Sequence, residues 1–194
     1  MMRRYRFGAT LLLLCLLSFS RAWAADDDEV WSALKSGRHV VLIRHAVTEP
    51  GIGDPPGFTL GDCSTQRNLS DQGRNDARRI GEAFRSRGIP VAQVLSSRWC
   101  RCLDTARLAF GSASPTPMLD SMFNDDEQIA KKKIREVHAL LAHRPASGNL
   151  ILVTHNRNIL ALTGVSPASG EMVVVTPEPV GTLRLIGRID LSRP

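Results

Sequence analysis

The sequence predicts an α/β fold in which a mostly parallel central sheet is covered by helices on both faces. Two observations carry that prediction. Short apolar runs, such as Val40-Val-Leu-Ile43 and Leu150-Ile-Leu-Val153, alternate along the chain with amphipathic stretches at helical spacing. No internal repeat appears, and no linker divides the chain into two domains.

A first helix is expected around Asp28–Lys35, ended by Gly37, and the run from His39 to Arg44 reads as a buried strand. A second helix begins after Ser70, a favourable N-cap, and stops at Gly88 ahead of Pro90. Gly73, Ala77, Ile80 and Phe84 form its apolar face, and Arg74, Arg78, Arg85 and Arg87 lie mostly outside that face as solvated surface. Residues 91–96 read as the next strand and 99–110 as the next helix, followed by a short strand near 117–119. A helix from about 127 to 143 is expected to bury Ala130, Ile134, Val137 and Leu141. Residues 150–154 form another buried strand, followed by a short helix ending at Gly164. Residues 172–175 and 182–189 read as a final pair of strands, a hairpin at one sheet edge. Between the first strand and the second helix, Ala46 to Leu69 shows neither period and holds seven Gly or Pro residues. A loop that long in a compact domain is functional or disordered.

The first 25 residues read as a segment apart. Three arginines precede an apolar, leucine-rich run from Phe7 to Ser20, and Ala22-Trp-Ala24 offers a small-x-small cleavage site. That is the layout of a secretory signal peptide, leaving residues 26–194 as one domain that is periplasmic or secreted. The alternative is an uncleaved membrane anchor, for which the run is short against the roughly 20 residues of a bilayer span. Of the 25 basic residues, Arg3, Arg4, Arg6 and Arg21 leave with this segment, so 21 face 19 acidic ones and the net charge falls from +6 to +2. The high isoelectric point of the whole chain is therefore no argument for nucleic-acid binding, and no later segment is long and apolar enough for stable membrane insertion. Of the cysteines after the signal, Cys102 lies at helical spacing with Trp99 and Ala106 and faces the core, which leaves Cys63 to pair with Cys100. No Cys or His pair has the spacing of a zinc site, so no metal or other cofactor is expected.

The chemistry lies at the carboxyl ends of the predicted strands. The first ends in Arg44-His45, the second runs into Ser96-Ser97 with Arg98 and Arg101 beyond, and Leu150–Thr154 ends in His155. Ligands of open α/β sheets bind outside these ends. Guanidinium and imidazole groups converging there are costly unless an anion fills the space, and a phosphate matches the paired donors of arginine. A neutral, oriented histidine is also a competent nucleophile towards phosphorus.

Four segments carry a family resemblance. Leu42-Ile-Arg-His-Ala-Val-Thr48 resembles the RHG-x-T signature of the histidine phosphatase (phosphoglycerate mutase-like) superfamily. Asn68-Leu-Ser-Asp-Gln-Gly-Arg-Asn-Asp-Ala77 is similar to its LS-x-x-G-x-x-x-A helix start. Ser96-Ser-Arg-Trp-Cys-Arg-Cys-Leu-Asp-Thr-Ala106 is similar to its SS-x-x-x-R-A-x-x-TA segment, and Val153-Thr-His155 fits its second-histidine motif. The resemblance implies a three-layer α/β/α sandwich and a metal-independent phosphomonoesterase. His45 would be the nucleophile that becomes a phosphohistidine; Arg44, Arg101 and His155 would hold the phosphoryl oxygens. Thr48 matches a position near the phosphate, and Arg67 and Arg98 are candidate further contacts. Ala46 departs from the family's glycine. Asn156 follows His155 where the acid-phosphatase and phytase branch has aspartate, so the proton donor is expected from Phe123-Asn-Asp-Asp-Glu127: Asp125 first, with Asp126 and Glu127 close behind and Glu171 an outside candidate. His39, His138 and His143 read as structural. Cys63-Ser-Thr-Gln-Arg-Asn-Leu-Ser70 also resembles members acting on phosphorylated heptose of lipopolysaccharide core, which makes a small phosphorylated molecule or glycan, an envelope sugar phosphate, the expected substrate. An exported module that binds a phosphorylated ligand with little turnover is the alternative, and a phosphohistidine protein phosphatase a weaker one, since its usual partners are cytoplasmic.

Overall fold

A computed structural model of the chain describes residues 27–178 and 181–192, so the proposed signal peptide lies outside the described residues. The elements follow the expected order: α1 Asp27–Leu34, β1 Val40–Arg44, α2 Asp71–Ser86, β2 Val91–Ser96, α3 Cys100–Phe110, β3 Ser114–Pro115, α4 Glu127–Ala142, β4 Asn149–Thr154, α5 Asn156–Thr163, β5 Met172–Pro177 and β6 Leu183–Ile189. They form one sheet in the order β3-β2-β4-β1-β5-β6, with β3, β2, β4 and β1 parallel and the β5–β6 hairpin antiparallel at the edge.

The strand period of two sorts the apolar residues into two cores. Val41 and Ile43 of β1, with Ile151 and Val153 of β4, face Trp31 of α1, Phe84 of α2 and Ala106 of α3. Val40 and Leu42, with Leu150 and Leu152, face the opposite way onto Val137 and Leu141 of α4 and Ile159 of α5. The molecule is therefore a three-layer α/β/α sandwich, and its central strands are apolar throughout because both faces are covered.

Local rules set the helix ends. Ser70 caps α2 by accepting from the Gly73 N–H at 3.1 Å, and Asp126 caps α4 by accepting from Ile129 at 2.8 Å. His143 closes α4, where the expectation placed it. Within α4, Val137 and Leu141 are fully buried, whereas Ala130 and Ile134 reach only half-burial. One element differs from expectation. Pro117–Leu119 is a 3₁₀ turn, and the strand is the short β3 just before it. Pro117 has no N–H to give a sheet ladder, so pairing ends with the Thr116 N–H on Ser96 O.

Two glycines let α2 come close to its neighbours. A Cβ on Gly73 would stand 1.9 Å from Val47 O, and one on Gly81 2.0 Å from Ala109 O. The first contact presses the start of α2 against the chain just after His45; the second seats α2 on α3. Among the described residues, no helix is long and apolar enough to cross a membrane.

Candidate active site

Strand register brings the two histidines together. Arg44 of β1 lies opposite Thr154 of the parallel β4, so the next residue on each strand, His45 and His155, emerges beside the other. The His45 N–H bonds to Thr154 O at 2.9 Å, and the rings meet edge to face with centroids 5.4 Å apart. β2 adds Ser97 in the same way, its N–H on Val153 O at 2.9 Å and its Oγ 2.9 Å from His155 Nε2.

His45 is oriented by its own chain. Its Nδ1 lies 2.9 Å from the Ala46 carbonyl, which can only accept, so the proton sits on Nδ1 and the lone pair on Nε2. Burial pushes its pKa down from 6.5 to about 3 against the opposing Ala46 bond, helped by Arg101, Arg44 and Arg67. His155 is held well below its ordinary value by burial first and by His45 next. Both rings are thus neutral at neutral pH. Ala46, which stands where the family has glycine, is fully buried, and no non-glycine residue among those described has a positive φ, so that position does not need glycine's conformational freedom. Thr105 of α3 accepts from the Ala46 N–H at 3.1 Å and fixes the backbone beneath the ring.

Above the rings opens a cavity of about 670 Å³. Arg44, Arg67, Arg101 and Arg157 line it, against only two carboxylates, Asp54 and Asp125. The Nε atoms of Arg44 and Arg101 are buried without a hydrogen-bond partner. Unpaired buried donors are costly, and here both belong to arginines that line a cavity that already concentrates positive charge. An oxyanion in the cavity would complement that charge.

The family model described as histidine phosphatase superfamily (branch 1) matches residues 40–125. That match spans 86 of the 194 residues, somewhat under half of the chain, and covers three of the four motif segments. A mitochondrial serine/threonine-protein phosphatase, Pgam5 of Drosophila virilis, is 33% identical over 72 residues, 37% of this chain and 22% of that protein, so the chain spans about a fifth of that curated relative. Solved structures share the fold at low identity. The alpha-ribazole phosphatase of Shigella flexneri gives a TM-score of 0.56 at 16% identity over 76% of this chain and 94% of its own. A phosphoserine phosphatase of Entamoeba histolytica bound to 3-phosphoglyceric acid gives 0.58 at 17% over 78% and 96%. The protein histidine phosphatase SixA complexed with tungstate gives 0.56 at 14% over 78% and 96%.

At this site the fold assembles Arg44, His45, Arg101 and His155 around the cavity, with Arg67 and Asp125 on its wall. Thr48 is off the wall: its Oγ1 accepts from Arg67 Nη1 at 2.6 Å, so it reaches the site through Arg67. Arg98 is also off the wall. Its N–H and Nε bind Asp120 at 2.9 and 2.8 Å, because the buried Asp120 carboxylate needs donors and Arg98 is the cation beside it. Asp126 is used as the α4 cap, Glu127 pairs with Lys131 at the surface, and Glu171 is buried against Arg188 and the Ala168 N–H. That leaves Asp125 as the member of the acidic run on the wall, its Oδ2 accepting from Lys133 Nζ at 2.6 Å. The pairing of Cys63 with Cys100 is present, and Cys102 is a buried thiol whose pKa burial pushes up to about 12. Sequence reasoning missed Asp54, Phe58 and Arg157. Asp54 is one of three carboxylates, with Glu49 and Asp62, in a long Gly/Pro-rich loop, and no fixed spacing marks it out.

Proposed function

We propose that the protein is a metal-independent phosphomonoester hydrolase in which His45 Nε2 attacks phosphorus. The observation that carries this reading is the neutral, Nδ1-protonated His45 aimed into a cavity whose two buried Arg Nε–H groups lack partners. In the first step the Nε2 lone pair forms the N–P bond as the ester P–O bond breaks, and the leaving oxygen takes a proton. Arg44, Arg101 and His155 stabilise the charge on the three remaining oxygens. Water then attacks phosphorus, releasing inorganic phosphate and restoring the His45 lone pair. Asp125 is the proton donor in this reading, since it is the carboxyl on the cavity wall that no arginine engages.

The cavity is far larger than a phosphate. Phe58, Trp99, Phe123 and Ile52 also line it, with Arg157, Asn124 and Asn156, a mixture of apolar faces and polar groups suited to a sugar ring. We assign the substrate class as a sugar phosphate of the cell envelope. The Cys63–Cys100 disulfide supports work in an oxidising compartment, periplasmic or secreted.

Hydrolysis of p-nitrophenyl phosphate and a panel of sugar phosphates in the presence of EDTA tests the reading, with His45→Ala and Asp125→Asn alongside. Activity that survives chelation, falls by at least about 10³-fold in His45→Ala, and falls on sugar phosphates more than on p-nitrophenyl phosphate in Asp125→Asn is expected. A wild-type protein that binds inorganic phosphate but turns over none of these esters would overturn hydrolysis in favour of a binding module.

A further inference from the structure

The geometry points to Asp54 as a positioning residue that holds Arg101 by one edge of its guanidinium and leaves the other edge for the phosphoryl group. This inference rests on the phosphate reading of the cavity. Asp54 sits in the long loop, 47 positions before Arg101 in the chain, yet the two side chains meet with exposures of only 5% and 7%. Oδ1 accepts from Arg101 Nη1 at 2.6 Å and Oδ2 from Nη2 at 3.2 Å, the end-on, two-bond form of the pair. Nη1 also lies 3.5 Å from Arg67 O. Nε, on the guanidinium's side edge, is buried with no partner. A planar fork with its end fixed can turn neither about its stem nor out of plane, so the Nε edge is aimed before any ligand arrives.

Asp54 is itself fixed. Besides Arg101 it accepts from the Arg67 N–H at 3.1 Å and from Trp99 Nε1 at 2.9 Å, giving four donors on two oxygens. Burial works against its charge, but the Arg101 bonds and the Arg67 N–H outweigh it and keep the carboxyl below its ordinary value. A carboxylate so saturated is a poor proton donor, which separates its role from that of Asp125. Its charge also offsets part of the arginine cluster while the cavity is empty. The loop can deliver it because Gly51 and Gly53, on the approach, both adopt positive φ. Arg67 Nε then grips Gly53 O at 2.8 Å.

A double-mutant cycle on the full chain tests this. Asp54→Asn should lower kcat/KM for p-nitrophenyl phosphate by about 10- to 100-fold, the usual cost of losing a partner that orients a site ligand, and weaken inorganic phosphate binding in calorimetry. Added to Arg101→Ala it should change either quantity less than about twofold, whereas added to Arg44→Ala it should keep its full factor. If Asp54→Asn costs the same factor with Arg101 absent, Asp54 acts elsewhere and the inference fails. Asp54→Glu, which keeps the charge, serves the same cycle should the amide variant fold poorly, and should lie between the wild type and Asp54→Asn. Calorimetry reads the cycle without turnover, so an inactive wild type would count against hydrolysis while the positioning of Arg101 is judged on phosphate affinity alone.

Discussion

Two regions build the cavity by different physics. The strand-end region, with His45, Ser97 and His155, is fixed by sheet register: each residue is one step beyond a strand of the parallel sheet, and the His45 and Ser97 N–H groups are tied to β4. The region from 46 to 69 has almost no regular structure. It is held by a single bridge between Thr48 and Leu69, one disulfide, and the side chains of Asp54, Gln66 and Arg67. The first region sets where the nucleophile is; the second sets how the positive charge above it is aimed. Preorganisation by register is distributed over many backbone bonds, whereas preorganisation by loop rests on a few replaceable contacts.

The largest effect should come where the two regions meet. Arg101 is carried by α3 but aimed by the loop, and it faces His45 across the cavity. Arg101→Ala should lower kcat by about 10²- to 10³-fold, the cost of losing a donor to transition-state charge, with no more than a small change in far-ultraviolet circular dichroism. A drop of less than tenfold would mean that Arg44 and Arg67 suffice, and that the loop's aiming of Arg101 is incidental.

The disulfide is the next way to separate the regions. It joins the loop to the first residue of α3, across 37 residues, directly before Arg101. Replacing Cys63 and Cys100 together by serine should cost up to about 3–4 kcal/mol in chain-entropy terms. Turnover should fall by about three- to tenfold, because the strand-end histidines keep their register while the loop loosens. Chemical denaturation and steady-state kinetics on the pair of variants check both numbers. Equal loss of activity in wild type and variant on mild heating would show that the loop does not limit the site.

Legibility in the sequence divides along the same line. β1 and β4 announced themselves as uninterrupted apolar runs, and a strand followed at once by a histidine places that histidine at the ligand end of a parallel sheet, so His45 and His155 could be read directly. Ser70 was readable as the cap of α2 and Gly73 as part of its apolar face, but the close approach of Gly73 to Val47 O was not. Asp54 was not, since its role depends on a contact 47 residues away through a loop with no period. Arg101 was legible through the motif that carries it, whereas Arg98, offered as a further contact, is taken up by the buried Asp120 before α3 begins. The strand expected at 117–119 failed because a proline ends the ladder that β3 had begun.

The pH dependence of stability weighs the strand-end histidines, with a contribution of the same sign from His39, whose ring burial also holds below its ordinary value. The folded-state pKa of His45 lies near 3 and that of His155 well below 6.5, so the native rings stay neutral while the unfolded chain takes up protons below 6.5. The unfolded state then binds more protons, and stability present above pH 6.5 is lost as pH falls towards 3. Each ring contributes a slope of at most about 1.4 kcal/mol per pH unit. Melting temperature should therefore fall between pH 7 and 5, and the fall should shrink in His45→Gln. Inorganic phosphate should flatten it too, since an anion beside the rings lets them hold a proton.

Arg98→Ala should have the smallest effect on turnover. Its side chain is 44% exposed, and both its N–H and its guanidinium serve Asp120 rather than the cavity. The variant keeps the backbone N–H on Asp120 Oδ1 but loses the donors to Oδ2, at about 1–3 kcal/mol of stability for a buried acceptor left short. Asp120 does touch the site indirectly, since Ser97 Oγ donates to its Oδ1 at 3.4 Å and lies 2.9 Å from His155. If that chain mattered, kcat/KM in Arg98→Ala would fall along with the melting temperature. The expected result is a lower melting temperature with kcat/KM within about twofold of wild type, because His155 takes its position from β4 and its register rather than from Asp120.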